Sequence, residues 1–483
     1  MLGSETTTSP KEASSSVADK TKIKSRYFMV WRWHFYAGLY VVPFILMLSL
    51  TGLVMLFDDE IEMITYHDEL VVLPESTTLP ASQQLDKIQG AYPLGAVTQY
   101  IPSKADNLAN KFDVRLADGR SILVTINQYN GEILGEIDRS DSWYQLANNV
   151  HGTLLMGQWG DYLIEIAASL SILLIITGVY LWWPRDNASK AGFLKLRFSS
   201  MRLFMRDVHA NFGALFSLIL LLFLFSGLAW TSVWGGKLVQ AWNTFPVYYT
   251  WGDKPESNLN HVDLNHGSEK ELPWNLEQSA LPESSEHIHG ATIRPVADGS
   301  DVVAEKSIGI DAVIKQAKTL GFTQFKLFLP QSSKGVYTLA ANSMGGDISD
   351  PRLDKTTHID QYSGDVLVDV TWDDYTILSK LMAAGVSLHQ GDVSIVNKAL
   401  NTLFCIVFAL VAILGCLMWW IRRPYGKTRI GIPSKFASDG LWKTGIVSLA
   451  LVAVFFPLAA VAIILFGLID WLVFKPKNEL IKC

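Results

Sequence analysis

The chain has 483 residues, 49% of them hydrophobic and 18% charged, with a formal net charge of −6 and a mean hydropathy of +0.22. That balance argues against an ordinary soluble enzyme and for a membrane protein carrying sizeable polar regions. The three cysteines, Cys405, Cys416 and Cys483, form no CxxC or CxxCH, and no GxGxxG or Walker loop occurs. A disulfide framework, c-type haem attachment and a nucleotide fold are therefore not expected.

In chain order, residues 1–26 are Ser/Thr/Lys-rich and read as a disordered cytoplasmic N-terminus with no cleavable signal. Residues 27–57 follow as a first span, 58–143 as a polar region, and 144–183 as a segment holding His151 and a second span. A connection at 184–206 leads to a third span at 207–234, then a longer polar region at 235–380. Residues 381–421 hold His389 and a fourth span, 422–440 form a connection, and 441–474 form a last apolar segment. Each apolar run reaches the ~20 residues that cross a bilayer, giving about five transmembrane helices. The last run carries Pro457 and reads as either one kinked helix or a tight hairpin.

Lys and Arg favour cytoplasmic connections. The connection 184–206 carries Arg185, Lys190, Lys195, Arg197, Arg202 and Arg206 against Asp186, and 422–443 is similarly basic. By contrast, 58–150 holds 15 acids and 6 bases, and 235–388 holds 20 acids and 12 bases. This places the N-terminus in the cytoplasm and both long regions outside.

The chain is written twice. "INQYNGEILGEI" (126–137) and "IDQYSGDVLVDV" (359–370) each read as a β-hairpin, and a helical stretch precedes each. Each outer region is thus predicted to be a small α+β module, the second with an insertion around 253–305. The spans repeat too: His34 is followed by Gly38 and Gly52, and His209 by Gly213 and Gly227, with offsets of 4 and 18. His151 and His389 each precede a Trp-Trp pair. Two units in one orientation imply a pseudo-two-fold axis along the membrane normal.

Depth decides how four histidines pair. His34 and His209 open outward-going spans at the inner face, whereas His151 and His389 precede inward-going spans at the outer face. One ion cannot be ligated across a ~30 Å bilayer, so the pairs are His34 with His209 and His151 with His389. Two imidazoles on facing helices suit haem iron, whereas zinc wants three or four ligands. Small residues are needed where a flat macrocycle lies, which makes Gly38, Gly213, Gly52, Gly227, Gly178 and Gly415 candidate lining residues. Helix packing is the alternative use of such glycines. Arg32 and Arg206 precede the inner histidines and serve as inner-face anchors or as partners of propionates. His261, His266, His287 and His289, with His67 and His358, are weaker metal candidates. Asp161 and Glu165 are weak candidates for an ion pathway.

The plan "WHFYAGL…SLTGLVMLF", "HGTLLMG…LLIITGVYLWWPR", "VHANFGAL…FSGLAW", "LHQG…WWIRRP", with "QYNGEIL" and "QYSGDVL" between, resembles the PepSY-associated transmembrane proteins over most of residues 27–425. These are often labelled iron-regulated membrane proteins. The second "WWPR" is here "WWIRRP", and the stretch after His389 lacks the glycines that follow His151. The resemblance implies an α-helical membrane protein with two PepSY-like periplasmic modules, related to ferric-siderophore reductases. It makes His34, His151, His209 and His389 the axial ligands of two b haems in a bacterial inner membrane. A quinol or cytoplasmic reductase would supply electrons, a periplasmic ferric siderophore would accept them, and no nucleic-acid partner is expected. The catalytic residues stay unassigned. The rival readings are a non-enzymatic, membrane-anchored binding module and a metal-ion transporter.

Overall fold

A computed structural model of the chain describes residues 10–185, 190–239, 257–265, 271–273, 275–284, 307–423, 431–433 and 443–473. In chain order the helices before the first strands are α1 (Pro10–Leu56), α2 (Asp58–Thr65), α3 (His67–Leu70) and α4 (Ala81–Ala91). Strands β1 (Ala96–Ile101), β2 (Asn110–Arg115), β3 (Ser121–Ile126) and β4 (Ile133–Asp138) follow, then α5 (Trp143–Thr153), α6 (Gln158–Trp182), α7 (Met201–Leu215) and α8 (Ser217–Leu228). A π-helical turn spans Trp234–Val239. After it come α9 (Ile310–Thr319), β5 (Lys326–Phe328), β6 (Val336–Ala341), β7 (Lys355–Asp360) and β8 (Val366–Thr371). The chain closes with α10 (Ile377–Gln390), α11 (Ile395–Arg422), α12 (Lys443–Phe455) and α13 (Pro457–Val473). It divides into two compact units: residues 1–51, 151–238 and 402–483, and residues 52–150 and 239–401.

The first unit is helical. Leu170 and Leu173 of α6 are buried among Ala37 and Val41 of α1, Leu224 and Leu228 of α8, and Ala459 of α13. Arg26–Leu56, Gln158–Trp182 and Ile395–Arg422 are each long and apolar enough to cross a membrane; α7 and α8 together would make a fourth span, bent by 57°. At the bend, Ser217 Oγ donates to the Ala214 carbonyl at 2.7 Å, and a hydroxyl that inserts into the backbone ladder is a usual cause of a kink. The expected fifth span divides into two shorter helices because Pro457 has no N–H to donate. Helical bonding otherwise runs on, from Phe456 N to Val452 O and from Ala460 N to Phe456 O, so the break is a kink. At the other end, α1 starts at Pro10, so residues 10–26 are helical where disorder was expected. Ala, Lys and Glu are good helix formers, and a long adjoining helix removes the nucleation cost.

The second unit is built on one antiparallel sheet of eight strands in the order β4-β3-β2-β1-β5-β6-β7-β8. Its two halves join where Gln99 pairs Phe328 and Tyr100 pairs Leu327. Helices α4 and α9 cover one face. They bury Ala81, Gln84 and Ile88, and Ile310, Val313 and Ala317, with the same offsets of 3 and 7 that lay an apolar stripe along a helix. The β3–β4 and β7–β8 turns repeat each other bond for bond. Asn127 Oδ1 accepts from Tyr129 N as Asp360 Oδ1 accepts from Tyr362 N. Both tyrosine hydroxyls donate to a backbone carbonyl, Asp106 and Ser333 respectively. Gly131 and Gly364 take φ of 72° and 76°, the left-handed conformation glycine adopts without a steric cost.

Candidate functional site

The helical unit brings His34 of α1 and His209 of α7 together, with ring centroids 6.4 Å apart and planes at 89°. Their tautomers follow from the partners. His34 Nδ1 lies 2.9 Å from Thr177 Oγ1 on α6, and that hydroxyl spends its own hydrogen on the Leu173 carbonyl at 2.7 Å. Thr177 therefore accepts from His34 Nδ1–H. His209 Nδ1 lies 2.8 Å from the Val411 carbonyl of α11, which can only accept. Both rings thus hold their proton on Nδ1 and a lone pair on Nε2, the state in which an imidazole ligates a metal. Imidazole–metal bonds of about 2 Å on opposite sides of one ion put ring centres on the order of 6 Å apart. The spacing and the donor set fit that use.

The glycines divide into two kinds. A Cβ on Gly178 would stand 3.2 Å from His34 Cε1, and one on Gly415 would stand 3.3 Å from His209 Cε1. The space these two leave is taken by the imidazole edges, whereas the sequence reading assigned it to a macrocycle. A Cβ on Gly38 would meet Leu174 Cδ2 at 3.9 Å, and one on Gly213 would meet Val411 Cγ1 at 3.7 Å, both ordinary contacts. Gly52 lies in α1 and Gly227 in α8, both half-buried.

Helix α7 is held in place around His209. Arg197 grips Asp207 through Nε and Nη2 at 2.7 Å each. Asn211 Oδ1 accepts from Trp182 Nε1 at 2.9 Å, while its Nδ2 donates to the carbonyls of Gly192 and Lys195. The connection between α6 and α7 is thereby tied to residues on both sides of the histidine. Arg32 donates through Nε to Asp470 of α13 at 3.1 Å and also bonds the Pro433 carbonyl; Tyr36 donates to the same carboxylate. Its guanidinium is therefore engaged by protein. Arg206 is exposed.

His151 closes α5. Its Nδ1 lies 2.8 Å from Thr51 Oγ1, which donates to the Met47 carbonyl at 2.9 Å, so His151 too keeps its lone pair on Nε2. Burial pushes its pKa down to about 4. The chain then breaks, with Leu154, Leu155 and Gly157 at positive φ. A Cβ on Gly160 would stand 1.6 Å from the Thr153 carbonyl oxygen, so only glycine permits α6 to start this close. His389 lies at the end of α10, where Asn401 Nδ2 donates to its carbonyl at 2.9 Å and Gly391, at φ 88°, ends the helix. His151 and His389 belong to different units, and their pairing remains a reading of the sequence.

Of the weaker histidines, His266, His287 and His289 lie outside the described residues. His67 is exposed beside Asp68. His261 and His358 meet in the sheet unit, Nε2 to Nε2 at 2.9 Å, both fully buried. Among the described residues no group of three or more His, Cys, Asp or Glu is placed to hold a metal ion. Sequence reasoning missed Thr51 and Thr177, although each stands immediately before a repeated glycine. It also missed Asp470, an acid conspicuous in an apolar tail.

The family model of the PepSY-associated TM region matches residues 31–422. The chain belongs to this family. Among curated proteins none matches it. As a PepSY-associated TM protein with at least three helices long and apolar enough to span, it is a membrane protein. The region matched to the family holds all four repeated histidines.

Proposed function

We propose that this PepSY-associated TM protein carries electrons across the bacterial inner membrane on two b haems and reduces a periplasmic ferric chelate, a ferric siderophore above all. The observation that carries the reading is the His34–His209 pair, two half-buried imidazoles with both Nδ1 atoms anchored and both Nε2 lone pairs available. When bound there, haem supplies one-electron chemistry at iron. The protein's own part is to orient. Thr177 and the Val411 carbonyl fix the tautomers and aim the rings, Gly178 and Gly415 let the ring edges seat, and the ties at Asp207 and Asn211 hold α7 in register. His151, anchored by Thr51, and His389 are proposed as the outer pair on the strength of the sequence repeat. The two halves of the eight-stranded sheet are proposed as PepSY modules of an internal repeat, facing the periplasm, with the N-terminus in the cytoplasm. They would offer the acceptor a docking surface, where Fe(III) in its chelate takes one electron and leaves as Fe(II). The donor is proposed to be quinol or a cytoplasmic reductase.

The test is an optical spectrum with pyridine haemochrome quantitation on purified protein and on His209→Ala. About two b haems per chain and the loss of one in the variant are expected. A protein without Soret absorbance after expression with ample haem would overturn the proposal and favour a tethered, non-enzymatic module.

A further inference from the structure

The second candidate span carries two acids that the electron-carrying reading does not use. Asp161, Glu165 and Ser169 follow one another at four-residue intervals along α6, one turn apart on one face. Their exposure falls along that line from 8% to 1% and 1%. Asp161 Oδ2 accepts from Ser232 N at 3.0 Å; Glu165 Oε2 accepts from Val233 N at 3.1 Å and Trp234 N at 3.2 Å. Glu165 Oε1 is buried and has no hydrogen-bond partner, and neither has Ser169 Oγ. The other serine and threonine hydroxyls of this helix behave differently: Ser171 and Thr177 each donate to the carbonyl four residues back, both at 2.7 Å.

A bare carboxylate oxygen sealed from water costs a large desolvation penalty. No cation relieves it, since neither acid pairs with a Lys, Arg or His among the described residues. From the facing segment come the backbone N–H groups of Ser232, Val233 and Trp234 and, beside Glu165, the Thr231 hydroxyl, which itself donates to the Leu228 carbonyl at 2.8 Å. Asp161, one turn away, adds a second negative charge. The oxygen has no open surface for water, so the ligand that needs no cavity is a proton. The geometry points to Glu165 as a proton-binding site within the membrane, carrying its hydrogen on Oε1 and reached from the Asp161 end. Oε2, the carbonyl oxygen of the acid form, keeps both backbone donors. This assignment does not depend on any cofactor.

Infrared spectroscopy of the full-length protein at neutral pH tests it. A protonated-carboxyl C=O band that downshifts in D2O is expected in the native protein, absent from Glu165→Gln and retained in Asp161→Asn. Glutamine keeps an acceptor for Val233 and Trp234, so the variant should fold. Absorbance from other buried acids such as Asp58 and Asp354, which burial pushes up to about 7, is common to native protein and variants and cancels in the difference spectrum. The band in Asp161→Asn should exchange with deuterium at least ten-fold more slowly. A band that survives Glu165→Gln, or no loss of carboxyl absorbance between native and variant, overturns the site. An unchanged exchange rate in Asp161→Asn overturns the path.

Discussion

His34 and His209 stand edge to face, 6.4 Å between ring centres, each with Nδ1 bonded to a group on a different helix. Neither ring is held by its counterpart. The pair is assembled by α6 and α11, which makes the residues behind the histidines as testable as the histidines themselves.

Thr177→Val removes the oxygen behind His34 while keeping the shape. Losing such an outer partner typically costs 10–100-fold in metal affinity, so on the proposed reading titration of the variant with haem should show weaker binding at one of the two proposed sites. Thr177→Ser, which restores the acceptor, should recover most of it. Equal loss in both variants would mean that packing, and not the Nδ1 bond, matters.

Gly178→Ala and Gly415→Ala push a methyl to within 3.2 and 3.3 Å of a histidine ring. On the proposed reading each should perturb the spectrum of haem bound at the His34–His209 pair while helical content stays unchanged. Gly38→Ala and Gly213→Ala meet only ordinary contacts in the protein itself. Loss of haem from those two, with thermal stability retained, would place a cofactor against them; unaltered haem content would remove them from its lining.

The buried His261–His358 pair makes the sheet unit acid-sensitive. Burial lowers His261 from 6.5 to about 4 and His358 well below 6.5. Below pH 6.5 the unfolded chain therefore binds protons that the folded one does not. Stability from the pair is complete above that point and falls as pH drops toward 4, by on the order of 3 kcal/mol for a shift of this size. Chemical denaturation from pH 7 to pH 4 should show the decline in native protein and a flatter profile in His358→Gln. Parallel profiles would refute the assignment.

Asp470→Asn cuts the carboxylate that Arg32 and Tyr36 share. The site is partly exposed, so the loss should be about 1 kcal/mol or somewhat more. The expected consequence is faster limited proteolysis near residue 470, measured against native protein under one set of conditions.

Much of this molecule was legible from pattern. The two hairpin phrases and the offsets of His34 and His209 are local, so a repeat of sequence is seen without knowing distances. The apolar tail showed its length and Pro457, but not whether it folds back, since a proline removes one hydrogen bond without saying where the next helix goes.

By itself the sequence determined the membrane character and showed which phrases and histidine–glycine spacings recur along it, because hydropathy, charge bias and spacing are properties of neighbours along the chain. Only the tertiary structure decided that Thr177 and the Val411 carbonyl orient the inner pair, that Gly178 and Gly415 seat imidazoles, that Arg32 answers to Asp470, and that Glu165 keeps one oxygen bare. Each depends on groups from different helices coming within about 3 Å, and hydrogen bonds weaken too steeply with distance and angle for spacing along a chain to specify them.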